Sequence, residues 1–191
     1  MGADGLMALA EGLERRWRPS ETRPAALTKL SLGADEEEAK AGTLDALWPA
    51  LLPGLEELEL WCTGVGRSVL DGVATGLGAV GGAPKLRVVR VRSRKEGGVS
   101  GVEAMLAGLL SRPANTEDQS GGQQRPASCP CLEVLELWQC AVVAEAVEAL
   151  AAEWPPTLRE LRLQRAGLRD NEVMALRLGH LANGPLTSAL R

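Results

Sequence analysis

The sequence predicts an α/β solenoid: about five strand-and-helix units forming a curved parallel sheet, with the helices on its convex side. Three observations predict it. One leucine phrase recurs five times, the stretches between phrases carry apolar residues at helical spacing, and the distance from phrase to phrase is nearly constant except at one gap.

The phrases are LTKLSLGAD from Leu27, LEELELWCT from Leu55, LRVVRVRSR from Leu86, LEVLELWQC from Leu132 and LRELRLQRA from Leu158. Each reads L-x-x-L-x-L, with valine replacing two leucines in the third. Alternating apolar residues over so short a run describe a strand with one buried face. The starts lie 28, 31, 46 and 26 residues apart (55−27, 86−55, 132−86, 158−132). The long gap contains residues 111–130, SRPANTEDQSGGQQRPASCP, a polar stretch with too little apolar surface to offset its ordering entropy. It is expected to be a flexible insertion.

Helical spacing follows each strand. Val69, Val73, Leu77 and Val80 form one set, and Val102, Met105, Leu106, Leu109 and Leu110 a second. Val142, Ala146, Val147 and Leu150 form a third, and Val173, Leu176, Leu178 and Leu181 a fourth. Trp17-Arg18-Pro19, Trp48-Pro49 and Trp154-Pro155-Pro156 are expected to end helices, because proline cannot continue one and restricts the residue before it. Their tryptophans are expected to be packing plugs. Residues 4–17 read as a helix with no strand before it, and the chain stops at Pro185–Arg191, where another strand is due. Residues 1–191 therefore read as a single domain that is a piece of a longer array.

These segments resemble leucine-rich repeats of the ribonuclease-inhibitor-like subclass, most clearly LEVLELWQCAVVAEAVEALAAEWPPT and LRELRLQRAGLRDNEVMALRLGHLANGP. The resemblance implies a leucine-rich-repeat solenoid with a buried Cys or Asn after each strand. Asp35, Thr63, Arg94, Cys140 and Ala166 stand there, and only Asp35 and Cys140 are in character.

If the leucines at phrase positions four and six face the core, positions three, five and seven face outward on the concave side. Position three holds Lys29, Glu57, Val88, Val134 and Glu160; position five holds Ser31, Glu59, Arg90, Glu136 and Arg162; position seven holds Gly33, Trp61, Arg92, Trp138 and Gln164. Row five alternates in sign, as do Glu56, Arg87, Glu133 and Arg159 at position two. Such neighbours neutralise one another, each pair contributing on the order of 0.2 to 1 kcal/mol, or else form a recognition stripe. In row seven, Trp61 and Trp138 flank Arg92 and are placed to grip its guanidinium between two rings, either as an internal staple or as an interface hot spot. The expected partner-binding residues are Trp61, Arg92, Trp138, Glu59, Arg90, Glu136 and Arg162.

Composition narrows the function classes. The formal charge is −4 and the pI is near 5.2, with no global cation excess for a nucleic-acid backbone. No apolar run approaches the ~18 residues of a membrane span, and the opening lacks a signal-peptide pattern. Four cysteines are too few for a disulfide framework, which fits a reducing cytoplasm or nucleus.

No catalytic site is expected. His180 is the one histidine, and no nucleophile–base constellation assembles around it. Gly64-Val65-Gly66 lacks the third glycine and the acidic residue of a dinucleotide loop. Cys129-Pro130-Cys131 supplies two thiols where a structural zinc asks for four ligands, so no metal or cofactor is expected.

The leading expectation is a non-catalytic scaffold that binds a protein on its concave strand face. An alternative is a recognition arm of a larger assembly, since similar repeats serve ubiquitin-ligase adaptors, nucleotide-binding receptors and small-GTPase activators. A third is a metal- or redox-sensing module acting through Cys129 and Cys131.

Overall fold

A computed structural model of the chain describes residues 27–34, 48–62, 66–78, 82–94, 99–110, 129–152 and 154–168, with residues 170, 173, 176, 189 and 190. The helix expected at 4–17, Trp17 to Pro19, Val80, most of the insertion, Leu178, His180 and Leu181 lie outside these residues. So do Asp35, Thr63, Gly64 and Val65.

Every recurring phrase forms a strand. These are β1 (Lys29–Ala34), β2 (Glu57–Cys62), β3 (Val88–Ser93), β4 (Val134–Trp138) and β5 (Glu160–Gln164). A two-residue β6 (Ala189–Leu190) follows near the chain terminus, where the sequence left a further strand due. The sheet is parallel throughout, and the spatial order of strands is their order in the chain. Parallel neighbours require a crossover between them. The described helices that lie in those crossovers are α1 (Trp48–Leu51), α2 (Gly66–Gly78), α3 (Val102–Leu110) and α4 (Ala144–Ala152); α1 runs directly into a 3-10 turn, Leu52–Gly54.

Strands β2 to β5 are entered in the same way. The amide of the leucine that opens the phrase donates to the carbonyl three residues earlier: Leu55 to Leu52 (3.2 Å), Leu86 to Ala83 (3.1 Å), Leu132 to Cys129 (3.3 Å) and Leu158 to Pro155 (3.0 Å). The second residue of every one of these turns is a proline (Pro53, Pro84, Pro130 and Pro156), whose fixed φ suits that place. Cys129 and Pro130 are therefore part of a packed turn of the same form as the other three. The last two residues of the expected flexible insertion, 111–130, thus lie in an ordered turn, and residues 111–128 lie outside the described residues. Cys129 fills the buried place that Leu52 and Ala83 fill in earlier turns.

The joint between strands is equally regular. The Thr28 carbonyl accepts from the amides of Glu56 (2.8 Å) and Glu57 (2.9 Å), and Glu56 accepts from Arg87 (2.8 Å) and Val88 (3.1 Å). Arg87 accepts in turn from Glu133 and Val134, and Glu133 from Arg159 and Glu160, at 2.8 to 3.0 Å. One carbonyl at phrase position two thus starts each new strand in register.

One face of the sheet is core. Leu58, Leu60, Val89, Val91, Leu135, Leu137 and Leu161 are buried against Leu70, Val73, Leu77, Val102, Met105, Leu106, Val147 and Leu150 of the helices. A small residue precedes a buried leucine in each of α1 to α4: Ala50-Leu51, Gly76-Leu77, Gly108-Leu109 and Ala149-Leu150. Two of these small residues are spacers. A Cβ at Gly76 would meet Leu52 Cδ1 at 2.6 Å and Trp48 Cβ at 2.8 Å, and one at Gly108 would meet the Ala74 carbonyl oxygen at 2.9 Å. Helix-to-helix contact there is main chain against side chain or main chain, with no room for a methyl group.

Trp48 and Trp154 are buried plugs, as the packing argument expects. Their prolines behave differently from each other. Trp154-Pro155-Pro156 follows the end of α4, whereas Trp48 and Pro49 sit inside α1, which continues to Leu51. Pro49 therefore does not mark the end of that helix. Val142 likewise precedes α4 and packs on the core from the loop.

The residue buried after each strand also shifts. In β4 and β5, position eight takes positive φ (Gln139 at 52°, Arg165 at 55°), and Cys140 and Ala166 turn into the core at position nine. In β2 and β3 the strand runs on through position eight, so Cys62 and Ser93 are the buried residues, and Arg94 is left exposed. The Cys140 thiol lies near two carbonyls, Trp138 (3.4 Å) and Val91 (3.6 Å), and donates to one at a time across the strand ends.

Candidate protein-binding face

The second face of the sheet holds the three expected rows in register. Ser31, Glu59, Arg90, Glu136 and Arg162 lie side by side, as do Gly33, Trp61, Arg92, Trp138 and Gln164. Alternation along each strand puts them there, because their neighbours are committed to the core. The structure brings all seven expected residues onto one face.

The expected side-by-side ladder forms in part, at Arg90–Glu136 and Glu136–Arg162 in row five and at Lys29–Glu57 in row three, and diagonal pairs cross it where Glu59 and Arg90 do not join. Arg90 leaves its register partner Glu59 and faces Glu57 (3.6 Å) and Glu136 (3.6 Å). Arg92 instead meets Glu59 (3.4 Å) and Glu136 (3.1 Å). Arg162 joins Glu136 (3.5 Å) and Glu160 (2.7 Å), and Lys29 joins Glu57 (2.9 Å). The diagonals are a matter of reach: Arg90 and Arg92 are two residues apart on one face, so each can also extend to a carboxylate in the row beside its own.

Glu136 is the hub. Its side chain is 12% exposed and meets three guanidiniums, from β3 on one side and β5 on the other. Oε1 accepts a hydrogen bond from Arg92 Nη2, while Oε2 faces Arg90 and Arg162 at distances long for hydrogen bonds but short enough for ion pairing. Four acids (Glu57, Glu59, Glu136, Glu160) and four cations (Lys29, Arg90, Arg92, Arg162) make this network neutral. At its rim, the Lys29 ammonium beside Glu57 holds that carboxyl below its ordinary range, overcoming the opposing effect of burial. Arg87 does the same for Glu133 through paired hydrogen bonds of 3.2 and 3.0 Å.

The tryptophan cluster has a different form from the expected grip of two rings on Arg92. Trp61 carries two guanidiniums, Arg92 at 4.9 Å and Arg94 at 5.3 Å from the ring centroid. Among the described residues no guanidinium lies over Trp138, whose buried Nε1 lacks an acceptor, as does Arg92 Nε. The participation of Arg94 was missed in the sequence, where it was read as the residue turning inward after the strand. Its signal is the alternation Arg90-x-Arg92-x-Arg94, which keeps three arginines on one side of an extended chain.

The cysteines do not assemble a site. Cys62, Cys129 and Cys140 are buried, and burial pushes their thiols up to about 11, about 12 and about 12 respectively. Cys131, two residues from Cys129, is exposed. No cluster of three or more metal-ligating side chains occurs among the described residues. No described helix is long and apolar enough to cross a membrane. Neither a scan against protein-family models nor a search of curated proteins finds a match for the chain.

Proposed function

We propose that this chain is a leucine-rich-repeat solenoid that acts as a non-catalytic scaffold, binding a protein partner on the uncovered face of its sheet. The repeat reading is supported by the four matching proline turns, the recurring position-two carbonyl joint and the small-residue–leucine pair in each of α1 to α4. The observation that carries the binding reading is the arrangement of Trp61, Arg92 and Trp138 on three neighbouring strands of a face that no described helix covers. Tryptophan and arginine are the side chains that most often concentrate binding energy at protein interfaces. The ordered ion-pair network behind them limits the side-chain entropy lost on association.

The test is affinity capture from a native lysate with the wild-type chain and with a Trp61→Ala/Arg92→Ala/Trp138→Ala variant. A partner retained by the first and lost by the second, with an unchanged far-ultraviolet circular dichroism spectrum, supports the reading. Equal capture by a folded variant rejects this site.

A further inference from the structure

The chain is acidic as a whole, yet its charge is divided between the two layers. Among the described residues, the strands and their flanking turns hold nine lysines and arginines against six glutamates, an excess of three positive charges. The described helical residues hold five acids (Asp71, Glu103, Glu145, Glu148 and Asp170) against Arg67, an excess of four negative charges. Among the described residues the strand layer thus sums to a positive charge on a molecule of net charge −4.

Two of the three excess cations, Arg94 and Arg165, stand where strands end, and the third, Lys85, is in the turn that enters β3. The network centred on Glu136 is neutral, and Arg94 lies outside it, exposed, with its guanidinium over Trp61. Arg165 is exposed at the matching end of β5, held at positive φ just after the strand. Neither arginine has an acidic partner among the described residues. A cation laid on an indole is positioned and partly desolvated, and a carboxylate that joins it completes an ion pair whose positive half is already oriented.

We propose that the Trp61 end of the sheet face receives an acidic protein segment, with one of its carboxylates held by Arg94 against the Trp61 ring. This rests on the scaffold reading above and specifies the chemistry of the partner. A protein segment fits better than a nucleic acid. Glu57, Glu59, Glu136 and Glu160 are interspersed across the same face and repel a continuous run of phosphates, whereas a peptide can place its acids only where the free arginines stand.

The experiment pans a random peptide library displayed on phage against the full chain at about 0.15 M salt, where the Debye length of ~8 Å leaves mainly close charge pairs effective. Selected peptides are then measured against Arg94→Glu, Arg94→Lys, Arg165→Glu and a Trp61→Ala/Trp138→Ala variant, each checked for folding by circular dichroism. The expected result is an excess of Asp and Glu among the selected peptides. Their affinity should fall about tenfold or more with Arg94→Glu and be largely kept with Arg94→Lys. Peptides that need Trp61 and Trp138 but are neutral or basic would overturn the acidic-partner inference and leave the binding face standing. If no selected peptide depends on those tryptophans, both fail. A single-stranded oligodeoxynucleotide that binds more tightly than the selected acidic peptides also overturns the inference.

Discussion

Arg92 reaches diagonally from β3 to Glu136 on β4, Nη2 to Oε1 at 3.1 Å, although its partner in register is Trp138. That diagonal frees the Trp138 ring from a cation and loads Glu136 with a third arginine. The two tryptophans thereby differ: Trp61 carries Arg92 and Arg94 on its ring, while Glu136 draws Arg92 away from Trp138.

Glu136 is therefore expected to matter far more for stability than the other acids of the face. Its removal leaves Arg90, Arg92 and Arg162 close together with their common counter-charge gone. Glu136→Ala should cost about 3 kcal/mol, in the range for breaking a buried pair. Glu160→Ala, which removes a more exposed acid, should cost less than about 1 kcal/mol. Urea denaturation of both variants measures the difference, and equal midpoints would refute the hub.

Two glycines in the helices should respond to alanine with opposite signs. Gly108→Ala drives a methyl into the Ala74 carbonyl oxygen and should destabilise by about 1 to 3 kcal/mol. Gly78, at the end of α2, has open space where its Cβ would stand. Gly78→Ala should stabilise by about 0.5 kcal/mol, by narrowing the freedom of the unfolded chain. Thermal denaturation of the pair should displace the midpoint in opposite directions.

The thiols define an alkaline limit. Cys62, Cys129 and Cys140 have folded values near 11, 12 and 12, above the ordinary 9.0, so the unfolded chain releases their protons first. Their contribution is complete below pH 9 and is lost as pH rises through about 11 to 12. The urea midpoint should accordingly fall between pH 9 and pH 11, and less steeply in Cys129→Ala, which places in one turn the residue Ala83 supplies in another. In the native state at pH 8, iodoacetamide should label Cys131 well before these three, as mass spectrometry of the digested chain would show.

Strand positions and register were legible because each buried leucine or valine fixes the direction of its neighbours. The rows through Glu59 and Trp61 follow from that alternation alone. Which carboxylate an arginine chooses was not legible, since Arg90 and Arg92 are long enough to reach several and the choice depends on all of them together. The fate of Arg94 depended on whether β3 ends at position seven or eight, a distinction made by backbone φ rather than by residue type. The proline turn is written in the sequence as well, as a proline two residues before the leucine that opens each of four phrases. Cys129-Pro130-Cys131 shares that turn with Ala83-Pro84-Lys85, and its two thiols are incidental to it.

The joint at phrase position two involves only main-chain atoms, and the side chains there are as different as those of Thr28, Glu56, Arg87 and Glu133. Such a coupling is indifferent to sequence, which makes the units interchangeable in principle. Were residues 55–85 excised, the Thr28 carbonyl could meet the amides of Arg87 and Val88 in place of those of Glu56 and Glu57. A gene encoding such a chain could gain or lose whole units without inventing a new way to connect them, while the outward rows were rewritten strand by strand.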